Sequence, residues 1–476
     1  MSQPSHSVHS ATAEGSNLST GLKQRHVTML SIAGVIGAGL FVGSGHAIAA
    51  AGPAVLLSYI AAGTLVVLVM RMLGEMAVAS PDTGSFSTYA NRAIGQWAGF
   101  SIGWLYWWFW VLVIPLEAIA AAAILNTWFP VIDTWLFALA ITALLTISNL
   151  FSVAKYGEFE FWFALSKVVA IMAFIILVAV ALVGGLPGRE VEGFVATMHA
   201  NGGFAPNGYG PVLGALLTTM FSFMGTEIVT IAAAESKNPS QQIARATNSV
   251  IWRIGIFYIV SIFMVVSIVP WNDAQLSVVG SYQRALELLQ IPYAKLIVDI
   301  VVLVAVASCL NSAIYTASRM MFSLAKRGDA PQALKATTAS NVPRRAVLAS
   351  TAIGFVTTAI NYFAPETVFA FLLATSGAVA LLVYLVIAVS QLRMRKQLVA
   401  DGQELGFKMW LYPWLTWLVI IFITAALCLM LTLPKHTYEV ASTAVLALVI
   451  VATGVYTKRR SNAANWSQGL VSNNRR

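Results

Sequence analysis

The chain has 476 residues, of which 58% are hydrophobic and only 10% charged. Ordinary soluble domains carry about 25% charged residues, because their surfaces face water. A soluble enzyme, a disordered chain and a nucleic-acid binder are therefore excluded, and the net charge of +9 is informative only through where its charges sit.

Residues 1–22 are polar, rich in Ser and His, and lack a signal-peptide core, so they read as a disordered tail. A bilayer-spanning helix needs about 20 apolar residues. Twelve such runs follow, over 28–48, 53–73, 97–124, 132–150, 159–184, 211–234, 246–269, 293–325, 345–361, 366–391, 410–432 and 440–457. Breaks fall at Gly52-Pro53, Pro130, Gly184-Gly185, Pro270, Pro292, Pro343, Pro365 and Pro434. The runs are continuous, whereas the strands of a membrane barrel alternate, so the expected fold is an all-α integral membrane protein of 12 transmembrane helices. With the N-terminus inside, Arg189, Arg284, Lys295 and Lys435 are the basic residues of the outer loops and Lys167 lies within a span. The remaining Lys and Arg residues fall on the inner side. This asymmetry sets both termini in the cytoplasm. Cys309 and Cys428 both lie in apolar runs, which gives no disulfide framework. The six histidines lie outside or at the ends of the runs, which argues against a haem or copper centre. No phosphate-binding GxxxxGK[ST] pattern is present, so ATP-driven pumping is not expected.

The first span contains Gly34, Gly37 and Gly39 around Val35, Ile36 and Ala38. Glycines weaken a helix by roughly 1 kcal/mol each relative to Ala. Unwound backbone survives in a membrane only where it lines a cavity. A half-helix N-terminus following the break would suit a carboxylate. The alternative is close packing of two helices at small residues. The sixth span reads Phe221-Ser222-Phe223-Met224-Gly225-Thr226-Glu227, with a glycine, two hydroxyls and an acid together. Interrupted spans in corresponding positions point to a transporter site between repeats. The halves then run 23–185 and 186–395, followed by two further helices over 396–460 and a cytoplasmic tail over 461–476.

Ionisable residues within spans cost about 2.5–3.5 kcal/mol each on insertion scales, so they are functional candidates. Lys167 lies deep in the fifth span, and suits either proton exchange or a permanent ion pair. Glu117 follows Pro115 in the third span, and suits a proton carrier, an ammonium contact or a hydrogen bond to a neighbouring helix. Glu227 sits at the expected break of the sixth, whereas Asp299, near the outer end of the eighth, reads as solvated or interfacial. In the eighth span Ser308, Ser312, Tyr315 and Arg319 share one helix face, with Cys309 beside it. That stripe reads as the lining of a water-filled path, or as interhelical hydrogen bonding. Trp104, Trp107, Trp108 and Trp110, like Trp410, Trp414 and Trp417, read as interfacial anchors.

The segment Leu22–Gly45, LKQRHVTMLSIAGVIGAGLFVGSG, resembles the opening of bacterial amino acid permeases of the amino acid–polyamine–organocation superfamily. Gly52-Pro53 through Gly74-Glu75 and Pro81, and FSFMGTE (221–227) followed by Ala234-Glu235, are similar to the signature segments of its amino acid transporter family. WLYWWFWVLVIPLEA (104–118), KYGEFEFW (155–162), FSFMGTEIVTIAAAES (221–236), SCLNSAIYTASRM (308–320) and MWLYPWLTW (409–417) resemble the 4-aminobutyrate (GABA) branch. The resemblance covers about residues 20–430.

It implies a LeuT-like 5+5 inverted repeat with discontinuous helices 1 and 6, plus two C-terminal helices. It also implies proton-coupled import across the bacterial inner membrane, with an amino acid and protons as partners and neither cofactor nor metal. The substrate carboxylate would meet Ile36, Gly37, Ala38 and Gly39, and the amino end Phe221, Ser222, Gly225 and Thr226. Lys167 falls where sodium-coupled relatives hold their ion, and Glu227 matches the family's helix-six acid. Position 38 is Ala where some relatives carry Ser, which leaves the carboxylate to backbone N–H groups. A permease for proline, an aromatic or a basic amino acid is the alternative; a non-transporting membrane sensor is a second class.

Overall fold

The computed structural model describes residues 34–82, 85–151, 156–186, 191–230, 238–291, 293–338, 342–361, 365–433 and 437–473. The expected N-terminal tail, the start of the first expected span (28–33), Lys155 and Ala234-Glu235 lie outside them. Among the described residues there are helices and turns but no strand.

A π-helical turn, Gly39–Gly43, leads into α1, Ser44–Ala51. A short turn at Gly52–Ala54 carries Pro53 and opens α2, Val55–Ala79. There follow α3 (Ser85–Ala93), α4 (Gln96–Trp128), α5 (Thr134–Asn149), α6 (Tyr156–Leu182), α7 (Gly193–Ala200) and α8 (Gly210–Phe223). Next come α9 (Pro239–Ile254), a second π-helical turn at Gly255–Val260, α10 (Ser261–Val266), α11 (Leu276–Val279), α12 (Ser281–Leu288) and α13 (Ala294–Lys326). The chain ends with α14 (Arg344–Asn361), α15 (Pro365–Ala400), α16 (Trp414–Met430) and α17 (Thr437–Asn473), the last continuing into the expected tail. Among the described residues, 8 helical stretches are long and apolar enough to cross a membrane, among them Gly39–Ala79, which joins the first two expected spans. Thr134–Asn149 and Trp414–Met430 are apolar but shorter.

The central pillar is α4, buried along most of its length. α13 lies along one side of it, and α15, itself packed on α8, along another. Helices at the rim are apolar on both faces but divide their residues by size and polarity. On α6 the inward stripe is Glu160, Ala164, Lys167, Ile171, Phe174, Val178 and Ala181, at spacings of three and four. Trp162, Val169 and Ile176 lie on its exposed side. Apolar side chains facing outward around a core that holds the charges is the arrangement a hydrocarbon solvent selects.

Two expectations about individual side chains change here. Trp107 and Trp110 are core residues rather than interfacial anchors, because they lie on buried faces of α4; the Trp107 indole N–H donates to Ser350 Oγ at 3.0 Å. Asp299 is buried, not solvated.

Candidate functional site at two backbone turns

Residues Gly34–Gly37 are not helical, and helix begins only at Ala38. The carbonyl groups this releases find side-chain donors. Gly34 O accepts from the Cys309 thiol at 3.6 Å, and Val35 O from the Tyr258 hydroxyl at 3.3 Å. The Ala38 N–H, at the start of the following helix, donates to Glu117 Oε1 at 3.1 Å and Oε2 at 2.9 Å. Glu117 is carried by α4 and is buried, so its carboxylate gains a backbone donor at a helix N-terminus in a site away from water.

The second turn mirrors the first. α8 stops at Phe223, Met224 takes an extended conformation, and Met224–Glu227 turn before helix resumes at Ile228. Gly225 has φ +107°, a conformation that strains any residue with a Cβ. A Cβ there would also lie 2.7 Å from Gly34 O, so the two turns touch through backbone. Glu227 folds back on its own turn, and its two carboxylate oxygens accept from the Gly225 N–H at 3.1 and 3.0 Å.

The expected site residues fall into several groups. Gly37 faces Glu117 and Cys309, while Gly39 faces Phe221 and Ser222; added Cβ atoms would meet those side chains within 2.9 Å. Ile36 and Thr226 line a small cleft with Val35, Val250, Arg253 and Tyr258. Lys167 is fully buried on α6, and the ionisable groups around it are Glu160, Cys309 and Glu117. Glu227 stands in different company, beside Tyr106 of α4 and Tyr384 of α15. The stripe on α13 divides. Ser308 and Ser312 both donate to Glu160 Oε1, at 2.5 and 3.0 Å, whereas Tyr315 stacks with the Arg319 guanidinium 4.7 Å from its ring centre. Among the described residues no cluster of His, Cys, Asp and Glu could hold a metal ion.

Sequence reasoning missed Glu160. It sits second in the expected fifth span, where an acid reads as a helix-end charge in water. The signal was its spacing: seven residues before Lys167, two turns along the same face.

A family model described as amino acid permease matches residues 26–466. A probable GABA permease of Pseudomonas aeruginosa is 78% identical over 93% of this chain and 94% of its own. The gamma-aminobutyric acid permease of Escherichia coli is 63% identical over 96% and 98%, and an aromatic amino acid transport protein of Corynebacterium glutamicum 42% identical over 90% and 93%. Among solved structures, an Eremococcus coleocola manganese transporter superposes with a TM-score of 0.54 over 91% of this chain and 92% of that one. At 14% identity that likeness shows a shared fold.

Proposed function

The chain belongs to the amino acid permease family, and we propose that it imports 4-aminobutyrate together with protons by alternating access. It is a multi-pass membrane transporter, not an enzyme. The substrate class follows the names of the GABA permeases at 78% and 63% identity. In our reading the chain makes twelve spans, ten of them in two inverted five-helix repeats, with both termini in the cytoplasm and the protein in the inner membrane. Turns at Gly34–Gly37 and Met224–Glu227 interrupt the runs counted as the first and sixth spans, which supports the arrangement.

The observation that carries the mechanism is the pair of hydrogen bonds from Ala38 N–H to Glu117. They locate a donor, at a buried helix start, that already holds a carboxylate. We assign that seat to the substrate carboxylate during transport. When Glu117 takes up a proton it becomes a weaker acceptor, and an ionised substrate carboxylate displaces it. Proton uptake and substrate binding are thereby linked at one N–H. The amino end of the substrate then lies toward Phe221, Ser222, Gly225 and Thr226, where the turn after Phe223 supplies carbonyl acceptors. Phe221, whose ring lies 6.1 Å from that of Phe109, packs against the methylenes. Lys167 carries the transported proton, with Glu117 beside it and Glu227 holding the second turn in shape.

Uptake by purified protein in vesicles tests this, with pH and sodium gradients imposed separately. A pH gradient, acid outside, should drive accumulation of labelled 4-aminobutyrate, and a sodium gradient should not. Unlabelled 4-aminobutyrate should compete better than proline, aromatic or basic amino acids. Lys167→Ala should abolish accumulation; unchanged accumulation and pH dependence in that variant would remove the coupling role.

A further inference from the structure

The inward stripe of α6 has two ionisable members, Glu160 and Lys167, both fully buried. Two helical turns separate them, about 10 Å along the axis at 1.5 Å per residue. Helical side chains lean toward the N-terminus of their helix, and Glu160 is among the ionisable groups around Lys167. The two oxygens of Glu160 are treated differently. Oε1 accepts from Ser308 and Ser312, which fastens α6 to α13. Oε2 is equally enclosed and has no hydrogen-bond partner among the described residues. A buried acceptor left so is costly, and more so when it is charged. Fastening two helices needs only one oxygen.

The other ionisable groups facing Lys167 are Glu117 from α4 and Cys309 from α13. The π-helical turn packed on α6 brings Tyr258, whose hydroxyl is donated to Val35 O. Each of these has a backbone partner at the first turn: Glu117 the Ala38 N–H, Cys309 the Gly34 carbonyl and Tyr258 the Val35 carbonyl. Glu160 alone of this group has an oxygen without one, and it stands nearer the N-terminal end of α6. The loop charges put that end on the cytoplasmic side.

We propose that Glu160 is the proton-exchange partner of Lys167, receiving its proton on Oε2 and passing it to water on the cytoplasmic side. This rests on the symport reading above. In the step, an N–H bond of the ammonium breaks and an O–H bond forms on Oε2. Ammonium and carboxylate become amine and carboxylic acid, so no net charge appears in the bilayer. The acid then gives the same proton to cytoplasmic water and returns to carboxylate. Ser308 and Ser312 hold Oε1 throughout and keep the carboxyl group in register with the amine.

Glu160→Gln, which keeps the shape and an acceptor for both serines, separates this role from a merely structural one. Wild type and variant are reconstituted in vesicles, and two rates are measured. The first is exchange of labelled for unlabelled 4-aminobutyrate, which needs no net proton transfer. The second is net uptake driven by a pH gradient, with proton influx followed in parallel. Exchange should continue in Glu160→Gln while proton-driven uptake falls about a hundredfold, the low end for losing a positioned proton carrier. Glu160→Asp should restore driven uptake with a displaced pH profile. Equal driven uptake and proton influx in Glu160→Gln and wild type would overturn the proposal. So would loss of exchange and driven uptake together without rescue by Asp, the pattern of a structural residue. If wild type itself ignores the pH gradient but exchanges substrate, the symport reading falls, and this assignment with it.

Discussion

A methyl group added at Gly37 would come within 2.5 Å of Glu117 Oε1 and 2.9 Å of both Cys309 Cβ and Sγ. Neither neighbour has room to yield, because Glu117 is held by the Ala38 N–H and Cys309 by the Gly34 carbonyl. Gly37→Ala must therefore push Glu117 off its donor or shift the turn. Displacing a reacting group by about 1 Å can cost on the order of a hundredfold in rate. We expect Gly37→Ala to reach the membrane in normal amount and to lose uptake by about that factor. Gly255→Ala is the matched control, because the added methyl meets nothing within 4 Å. Wild-type uptake by Gly37→Ala, measured against the amount of reconstituted protein, would show that the seat at Ala38 tolerates movement. Gly225 answers to a second constraint: its φ of +107° adds backbone strain, of order 1–3 kcal/mol for a side chain, to the collision with Gly34 O.

At the scale of helices, buried charge outweighs surface charge. Glu75 near the end of α2 is buried, and its oxygens accept from Gln391 Nε2 at 2.6 Å, Arg395 at 2.9 Å and the Met409 N–H at 2.6 Å. Gln391 in turn accepts from Thr416 at 3.0 Å, so one carboxylate ties α2, α15, the segment before α16 and α16 itself. Glu75→Ala would leave a cation, an amide and an N–H without their acceptor. Breaking a buried pair from one side costs about 3–5 kcal/mol. One turn earlier, half-buried Arg71 covers the rings of Phe407 and Trp410, with 4.4 and 4.0 Å to the ring centres. Such partly exposed stacking contributes only about 0.5–1 kcal/mol, and the guanidinium's two further hydrogen bonds, to Lys408 O and Asn248 Oδ1, face water. Unfolding in detergent should therefore shift far more for Glu75→Ala than for Arg71→Ala. Equal shifts would mean that the Glu75 cluster is looser than its geometry.

Helix positions were legible where hydropathy alone decides them. The expected run 293–325 is found as Ala294–Lys326, and 132–150 as Thr134–Asn149. They were less legible where tertiary partners extend a helix beyond its apolar part. The run 366–391 ends at Gln391 by hydropathy, yet α15 continues to Ala400 because Gln391 and Arg395 are bound by Glu75. The same reason hid Glu160. Its partners Ser308 and Ser312 are remote in sequence, and only folding shows that the three meet. Gly34, Gly37 and Gly225 could be singled out because glycine within an apolar run is a local signal. That Glu117 would hold the Ala38 N–H depends on a contact 79 residues away, which no local pattern carries.

Across the whole molecule, charge is sorted by depth. Among the described residues the ion pairs lie at two rims. On one are Arg395–Glu75, Arg327–Asp329 and Lys458–Asp329; on the other Arg284–Asp273, Arg284–Glu287 and Lys295–Glu287. The groups between them are those assigned to transport. These pairs stand apart from the groups around Lys167 and so report on folding, not on coupling. Burial by itself would raise the Asp273 carboxyl, but the Arg284 guanidinium at 2.7 Å and the Gln275 N–H at 2.8 Å outweigh it and hold the group below its ordinary 3.8. A carboxyl lowered on folding adds stability above its unfolded value and loses it as pH falls through the lower, folded one. The Asp273–Arg284 contribution is thus intact at neutral pH and disappears below 3.8. Asp273→Asn should unfold earlier than wild type at pH 7, and the two should converge as pH falls through that range. Its uptake, normalised to folded protein, should keep the wild-type pH profile. A displaced uptake profile in Asp273→Asn would mean that this rim takes part in proton coupling, contrary to the division of charge by depth.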